Sequence, residues 1–181
     1  MNTRRGFLGG VLAAGAAVAI AGCGGDSLKD QLKQAPPVAR TDVALLNHLI
    51  DLEYRAVAAY TASLPLLGPT AYHAAKQFLA QELGHAQGLG VLVREAGGKE
   101  HKARPTYDLG APKTTAEVLR LLHEVETAQI AAYLEIIPRL APAKVRTLTT
   151  QYFANDAQHI SIVRSLQGQG PLPAPFVTGH Q

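Results

Sequence analysis

Apolar side chains recur at spacings of three and four through four separate stretches of the chain. Each stretch is interrupted by acids at a similar depth. In the first, Leu46, Leu49, Ile50, Val57, Tyr60 and Leu64 form one face with Glu53 in its middle. The second sets Phe78, Leu79, Leu89 and Leu92 around Glu82 and His85. The third sets Leu119, Leu122, Ile130, Tyr133 and Ile137 around Glu126, and the fourth sets Leu148, Tyr152, Ile160 and Val163 around Asp156 and His159. This period belongs to an amphipathic helix, and no strand-like alternation competes with it. The chain is expected to be all-α.

The punctuation between the stretches fixes their order in space. The first helix opens near Thr41-Asp42, where both residues suit a cap and first turn. It ends at Leu64-Pro65-Leu66-Leu67-Gly68-Pro69, with the second helix starting just after. Gly97-Gly98 closes the second helix, as glycine does just past a helix end. Residues 98–113 carry Gly, Pro and charge without periodicity and form a long connection. Thr114-Thr115-Ala116-Glu117 then reads as a capping box for the third helix. Ile137-Pro138-Arg139-Leu140-Ala141-Pro142 repeats the first interhelix turn, prolines in register. Two short turns separated by a long link predict an antiparallel four-helix bundle with a long crossover between the second and third helices. Residues 168–181, rich in Gly and Pro, are expected to form a structureless, disordered tail.

The turn is not the only repetition. Glu53-x6-Tyr60 returns as Glu126-x6-Tyr133, 73 residues later, and Glu82-x-x-His85 returns as Asp156-x-x-His159, 74 residues later. The chain is a duplicated helical hairpin. Residues three apart share a helix face, so each carboxylate-x-x-His aims two ligand groups one way. A carboxylate on an apolar stripe is costly to bury unless it is paired or binds a metal. Four such carboxylates and two imidazoles are what a dinuclear metal centre inside a bundle requires. Oxygen donors with a few imidazoles suit iron(II) or manganese(II). The alternative use of these residues is a metal-free, hydrogen-bonded core network. Tyr60 and Tyr133 read as core aromatics whose hydroxyls find one acceptor, as donors to a carboxylate ligand, or as redox-active phenols. His123, three before Glu126, is a candidate further ligand or partner to one. His48, His73, His101 and His180 fall off the inner face or in loops and read as surface residues.

Composition and the N-terminal stretch add a location. Thr3-Arg4-Arg5-Gly6-Phe7-Leu8 matches the twin-arginine export pattern, and the Ala-rich run after it is too short to span a bilayer. The run ends Ile20-Ala21-Gly22-Cys23, which is similar to the lipobox of bacterial lipoproteins, with Cys23 the lipidation site. Residues 1–22 therefore read as a signal peptide and 23–40 as a lipidated Cys with a flexible tether. The helical domain follows at 41–167. Cys23 is the chain's single cysteine, so neither an intramolecular disulfide nor a thiolate zinc or iron site can form. The formal charge of +3 falls to +1 without Arg4 and Arg5, and a near-neutral protein without Trp gives no support for nucleic-acid binding.

The arrangement Glu53, Glu82-x-x-His85, Glu126, Asp156-x-x-His159 resembles the ferritin-like superfamily, which includes ferritins, rubrerythrins, manganese catalases and di-iron oxidases. The resemblance covers residues 41–167. It implies that Glu53 and Glu126 are single carboxylate ligands, that Glu82 and Asp156 bridge or chelate, and that His85 and His159 each cap one of two iron or two manganese ions. Asp156 departs from the Glu usual in the family and is one methylene shorter, so one metal site is expected to be poorer. The function expected is a membrane-tethered, exported di-metal oxidoreductase of the bacterial cell envelope. It would reduce peroxide or oxygen, peroxidase- or catalase-like, as a possible homodimer. The alternative is a non-catalytic metal-binding or scaffold lipoprotein. A storage cage fits poorly with a lipid anchor and tether on every subunit.

Overall fold

The computed structural model describes residues 38–180. Arg4, Arg5 and Cys23, with the signal and most of the tether expected around them, lie outside the described residues. The domain is built from four long helices: α1 (Val43–Ser63), α2 (Pro69–Glu95), α3 (Thr115–Ile136) and α4 (Ala143–Leu166). No strand occurs among the described residues, and none of these helices is long and apolar enough to cross a membrane. α1 pairs with α2 and α3 with α4 as hairpins, and the hairpins meet chiefly through α1 against α3. The all-α, four-helix reading therefore stands.

The duplication is visible in the turns. Leu64–Leu66 and Ile137–Arg139 each form one 3-10 turn with proline in its second position, and each leads into the next helix through an extended residue, Leu67 or Leu140. Proline cannot continue the helix hydrogen bonding, so both hairpins reverse at the same place. At the far end of α2, Gly97 adopts φ +71°, and the amides of Gly97 and Gly98 bond back to Arg94 and Val93. This αL closure favours glycine at the first position. Gly98 is required by space instead, since a Cβ there would come within 2.7 Å of Val43. The crossover is then tied to α1. Asn47 donates to the Lys99 carbonyl at 3.0 Å and accepts from the His101 amide at 2.8 Å. Thr114 and Glu117 form the capping box at the start of α3.

Two segments make contacts that the sequence does not announce. Asp42 is the N-cap residue of α1 as its type suggests, but its side chain makes no capping bond, and a 3-10 turn over Arg40–Asp42 leads into the helix. Its carboxylate, buried, instead accepts the Ala141 amide at 3.1 Å and ties the start of the first hairpin to the turn of the second. The tail forms neither helix nor strand over 168–180, but it is not free of the domain. Arg164 donates to the Gly170 carbonyl, and Gly179 is buried against the α3 backbone, where a Cβ would sit 2.6 Å from the Ala131 nitrogen.

The interior is layered. Leu46, Leu49, Ile50, Leu89, Leu92, Tyr133 and Ile136 belong to one apolar cluster. Ala56, Ala59, Tyr60, Phe78, Leu122, Val125 and Val163 belong to the other. Between these two sets, in the sequence of every helix, fall the buried acids.

Candidate metal centre

Glu53, Glu82, Glu126, Asp156 and His159 are wholly buried, and His85 is 6% exposed. Each helix contributes through its own inward face: α1 gives Glu53, α2 gives Glu82 and His85, α3 gives Glu126, and α4 gives Asp156 and His159. Their ligand atoms fall into two overlapping groups. One holds Glu82, Glu126, Asp156 and His159; the other holds Glu53, Glu82 and His85, with the atoms of each within 4.8 Å of one another. Glu82 belongs to both. His159 Nδ1 lies 2.8 Å from Glu82 and 3.3 Å from Glu126. His85 Nδ1 lies 3.4 Å from Asp156 and 3.6 Å from Glu53. The six residues singled out by spacing are thus one cluster in space.

Proximity here is not the same as hydrogen bonding. Glu82 Oε1, His85 Nδ1, Glu126 Oε2, both Asp156 oxygens and His159 Nδ1 are buried and make no hydrogen bond. Buried polar atoms are normally satisfied, and leaving one unmade costs about 1–3 kcal/mol. So many orphaned donor atoms on converging side chains fit a cation that they would share. The donor set is carboxylate oxygen and imidazole nitrogen without thiolate, which suits iron(II) or manganese(II).

Without a cation the cluster resolves its charge by holding protons. Burial, then the nearby Glu82 and Asp156 carboxylates, push the Glu53 pKa well above the usual range. Burial and the charges of Glu82 and Glu126 do the same to Asp156. Glu126 is raised to about 7 by burial and by Glu82. Burial disfavours protonated His159, but the Glu126 and Glu82 carboxylates beside it overcome this and lift it to about 9. For Glu82, burial acts upward, and His159 with Gln129 more than reverse it. His85 is lowered, mainly by burial.

Residues 41–169 match the family model of the ferritin-like domain. The chain belongs to the ferritin-like domain family. A crystal structure of a conserved hypothetical protein from Mycobacterium tuberculosis has the same fold, with a TM-score of 0.66 at 17% identity over 69% of this chain and 96% of that one. No curated protein matches the chain.

Around the ligand cluster of this ferritin-like domain, the two repeats support each other crosswise. The Tyr60 hydroxyl donates to Glu126 and the Tyr133 hydroxyl to Glu53, so each tyrosine serves the glutamate of the opposite hairpin. Phe78 stacks on His159 at 4.1 Å, and its counterpart Tyr152 lies against His85 at 4.6 Å. Gln81 holds His159 Nε2 at 2.8 Å, and its counterpart Asn155 stands beside His85. With Nε2–H donated to the Gln81 amide oxygen, the neutral His159 ring keeps its Nδ1 lone pair for the centre. The pairing of Gln81 with Asn155 was readable in the repeat, one residue before each carboxylate, yet sequence reasoning passed over it. Gln129 was also missed. It is buried on α3, and its amide nitrogen donates to Glu53 at 2.8 Å and Glu82 at 2.7 Å. Its signal was a spacing of three from Glu126, but the repeat hid it, because the matching position on α1 is Ala56.

His123 does not join the cluster. Neither ligand group includes it, and burial and the charge of Arg164 on α4 lower its pKa against the opposing pull of Glu124. His48 and His73 are exposed, as is His101, which pairs with Asp51 at 3.1 Å.

Proposed function

We propose that the domain is a di-metal centre, iron or manganese, that reduces peroxide or oxygen. The observation that carries this reading is the set of orphaned, buried donor atoms on Glu82, His85, Glu126, Asp156 and His159. Glu53 and Glu126 would be single-carboxylate ligands, Glu82 and Asp156 would be shared, and His85 and His159 would each cap one ion through Nδ1. Four carboxylates balance two divalent cations, so loading would remove the charge that burial otherwise opposes. When bound, such a pair of ions supplies one-electron steps at two adjacent centres.

The chain's own residues set what can reach it and how. Burial of the whole cluster limits substrates to molecules of the size of peroxide or dioxygen. Tyr60 and Tyr133 hold Glu126 and Glu53 in place from outside. Gln81 fixes the ring of His159. Apolar residues above and below keep bulk water out, which strengthens every charge interaction inside.

The proposal extends to location: a lipoprotein exported by the twin-arginine route and anchored through Cys23 in the bacterial envelope. Radiolabelled palmitate incorporation that disappears in Cys23→Ala tests the anchor, and unchanged labelling contradicts it. For the centre itself, protein lacking residues 1–22 and any histidine tag should carry close to two iron or manganese ions by elemental analysis. Combined His85→Ala and His159→Ala should abolish this, along with peroxide or oxygen consumption by the loaded protein. Wild-type protein that is metal-free and resists loading with either metal would contradict the proposal. Metal-loaded protein that turns over neither substrate would leave a binding module.

A further inference from the structure

The start of α1, the end of α2 and the turn between α3 and α4 meet at one end of the bundle. Val38 is buried there in one cluster with Ala96, Leu140 and Val145. The Asp42 carboxylate accepts the Ala141 amide at 3.1 Å, and Lys144 of α4 pairs with Glu95 of α2 at 3.1 Å. The segments that form this base, 38–42, 93–104 and 135–146, carry eight Lys and Arg against four acids. At the opposite end Thr115 donates to the Leu66 carbonyl and Gln167 to that of Leu119. The segments there, 61–72, 108–120 and 164–170, carry three Lys and Arg against two acids. The excess at the base is not spent internally. Glu100 is shared by Arg94 and Lys102, Glu135 faces Arg139 at 2.8 Å, and Asp42 is buried. Arg40, Lys99 and Arg104 are exposed and enter no ion pair among the described residues.

We propose that this base is a docking face for an anionic phospholipid surface, separate from any lipid on the chain. That it meets such a surface in the cell rests on the location reading above, with Cys23 as the anchor. Cys23 lies 15 residues before Val38, so the chain between them can separate anchor and base by at most about 50 Å. The end of the domain nearest the anchor along the chain is thus the end with the charge excess. Lys and Arg near an anionic bilayer are attracted to it over a Debye length, about 8 Å at physiological salt. Arg40, Lys99 and Arg104 offer that charge without an internal pair being broken. A protein partner fits this face less well. Interface cores favour large apolar side chains, and none of the exposed ones among the described residues falls in these three segments. Docking on the base would stand the four helices upright on the membrane and hold the opposite end away from it.

Vesicle flotation of residues 23–181 with Cys23→Ser tests this, because that chain keeps every described residue and no lipid holds it. At about 25 mM salt it should float with mixed phosphatidylglycerol and phosphatidylcholine vesicles and not with phosphatidylcholine alone, and about 0.5 M salt should release it. Arg40→Glu, Lys99→Glu and Arg104→Glu together should weaken binding by about a hundredfold. Lys76→Glu, Lys113→Glu and Arg120→Glu together change the net charge equally but lie away from the base, and should weaken it by less than about threefold. Should the first triple variant not fold, Arg40→Ala with Lys99→Ala carries the test, with a loss of about tenfold expected. Equal binding to both kinds of vesicle, no binding to either, or equal weakening by the two triple variants each overturn the proposal. Absent palmitate labelling of Cys23 overturns the location reading instead, since the flotation arms decide the docking face without it.

Discussion

The two hairpins of this domain share the geometry that supports the buried cluster and differ within the cluster itself. Their outer support is the same: tyrosines crossed onto the opposite glutamates, an aromatic ring on each histidine, an amide beside each imidazole. Their turns are the same down to the proline. At the centre they differ twice, with Glu82 against Asp156 and Ala56 against Gln129. Crosswise support ties each half's geometry to the other, so neither hairpin has a complete site of its own. The differences fall where symmetry is not needed for folding, only for equal metal binding.

The sharpest way to break the comparison is at its shared residue. Glu82 belongs to both ligand groups, whereas Asp156 belongs to one. Glu82→Gln should therefore lose both ions, and Asp156→Asn, whose carboxylate lies 3.4 Å from His85 and 4.0 Å from His159, should weaken binding without abolishing it. Stoichiometry by elemental analysis after dialysis distinguishes the two; equal losses would mean that the groups are not distinct.

The next effect is on pH dependence without metal. Glu126, raised from 4.5 to about 7, and His159, raised from 6.5 to about 9, both hold protons more tightly when folded. Glu53 and Asp156 shift in the same direction. Stability from such groups is full below the unfolded pKa and is lost as pH rises through the folded one. Glu82 is lowered, so its contribution is lost only as pH falls. The metal-free bundle should thus weaken as pH rises through about 7 for Glu126 and about 9 for His159. Urea melts along that range check the slope. A cation in place of the protons should flatten it, with protons released on loading.

Smaller effects sharpen the crossed support. Tyr60→Phe and Tyr133→Phe should each cost about 1–2 kcal/mol in the metal-free protein. In double-mutant cycles, Tyr60→Phe should couple to Glu126→Gln and not to Glu53→Gln, with Tyr133→Phe giving the reverse. Smallest is Gly88→Ala on α2. A Cβ there would meet the Tyr152 hydroxyl, so the helix-propensity gain of about 1 kcal/mol should be offset by displacement of the ring from His85. Combined with Tyr152→Ala, the same substitution should become stabilising in thermal melts.

Sequence made the bundle legible because two signals agreed. Helical periodicity placed the four helices, and proline turns in register ordered them. The six residues of the buried cluster were legible for a related reason: acids on apolar faces stand out, and a repeat says that they do so twice. What the repeat could not show was whatever broke it. Gln129 has no twin, so comparison of the halves discarded it. The crossing of Tyr60 to Glu126 was equally hidden, since one helix read alone pairs Tyr60 with its own Glu53 two turns away. Asp42 stands at the N-cap position its residue type suits, yet its carboxylate bonds elsewhere. Its partner, the Ala141 amide, is distant in the chain and met only through packing.

Anaerobic iron(II) or manganese(II) titration of the metal-free wild-type domain tests the central claim most directly. Two ions per chain, taken up in two resolved steps, are predicted from one converged and uneven site. Uptake of no ion, or of one ion only, would contradict it.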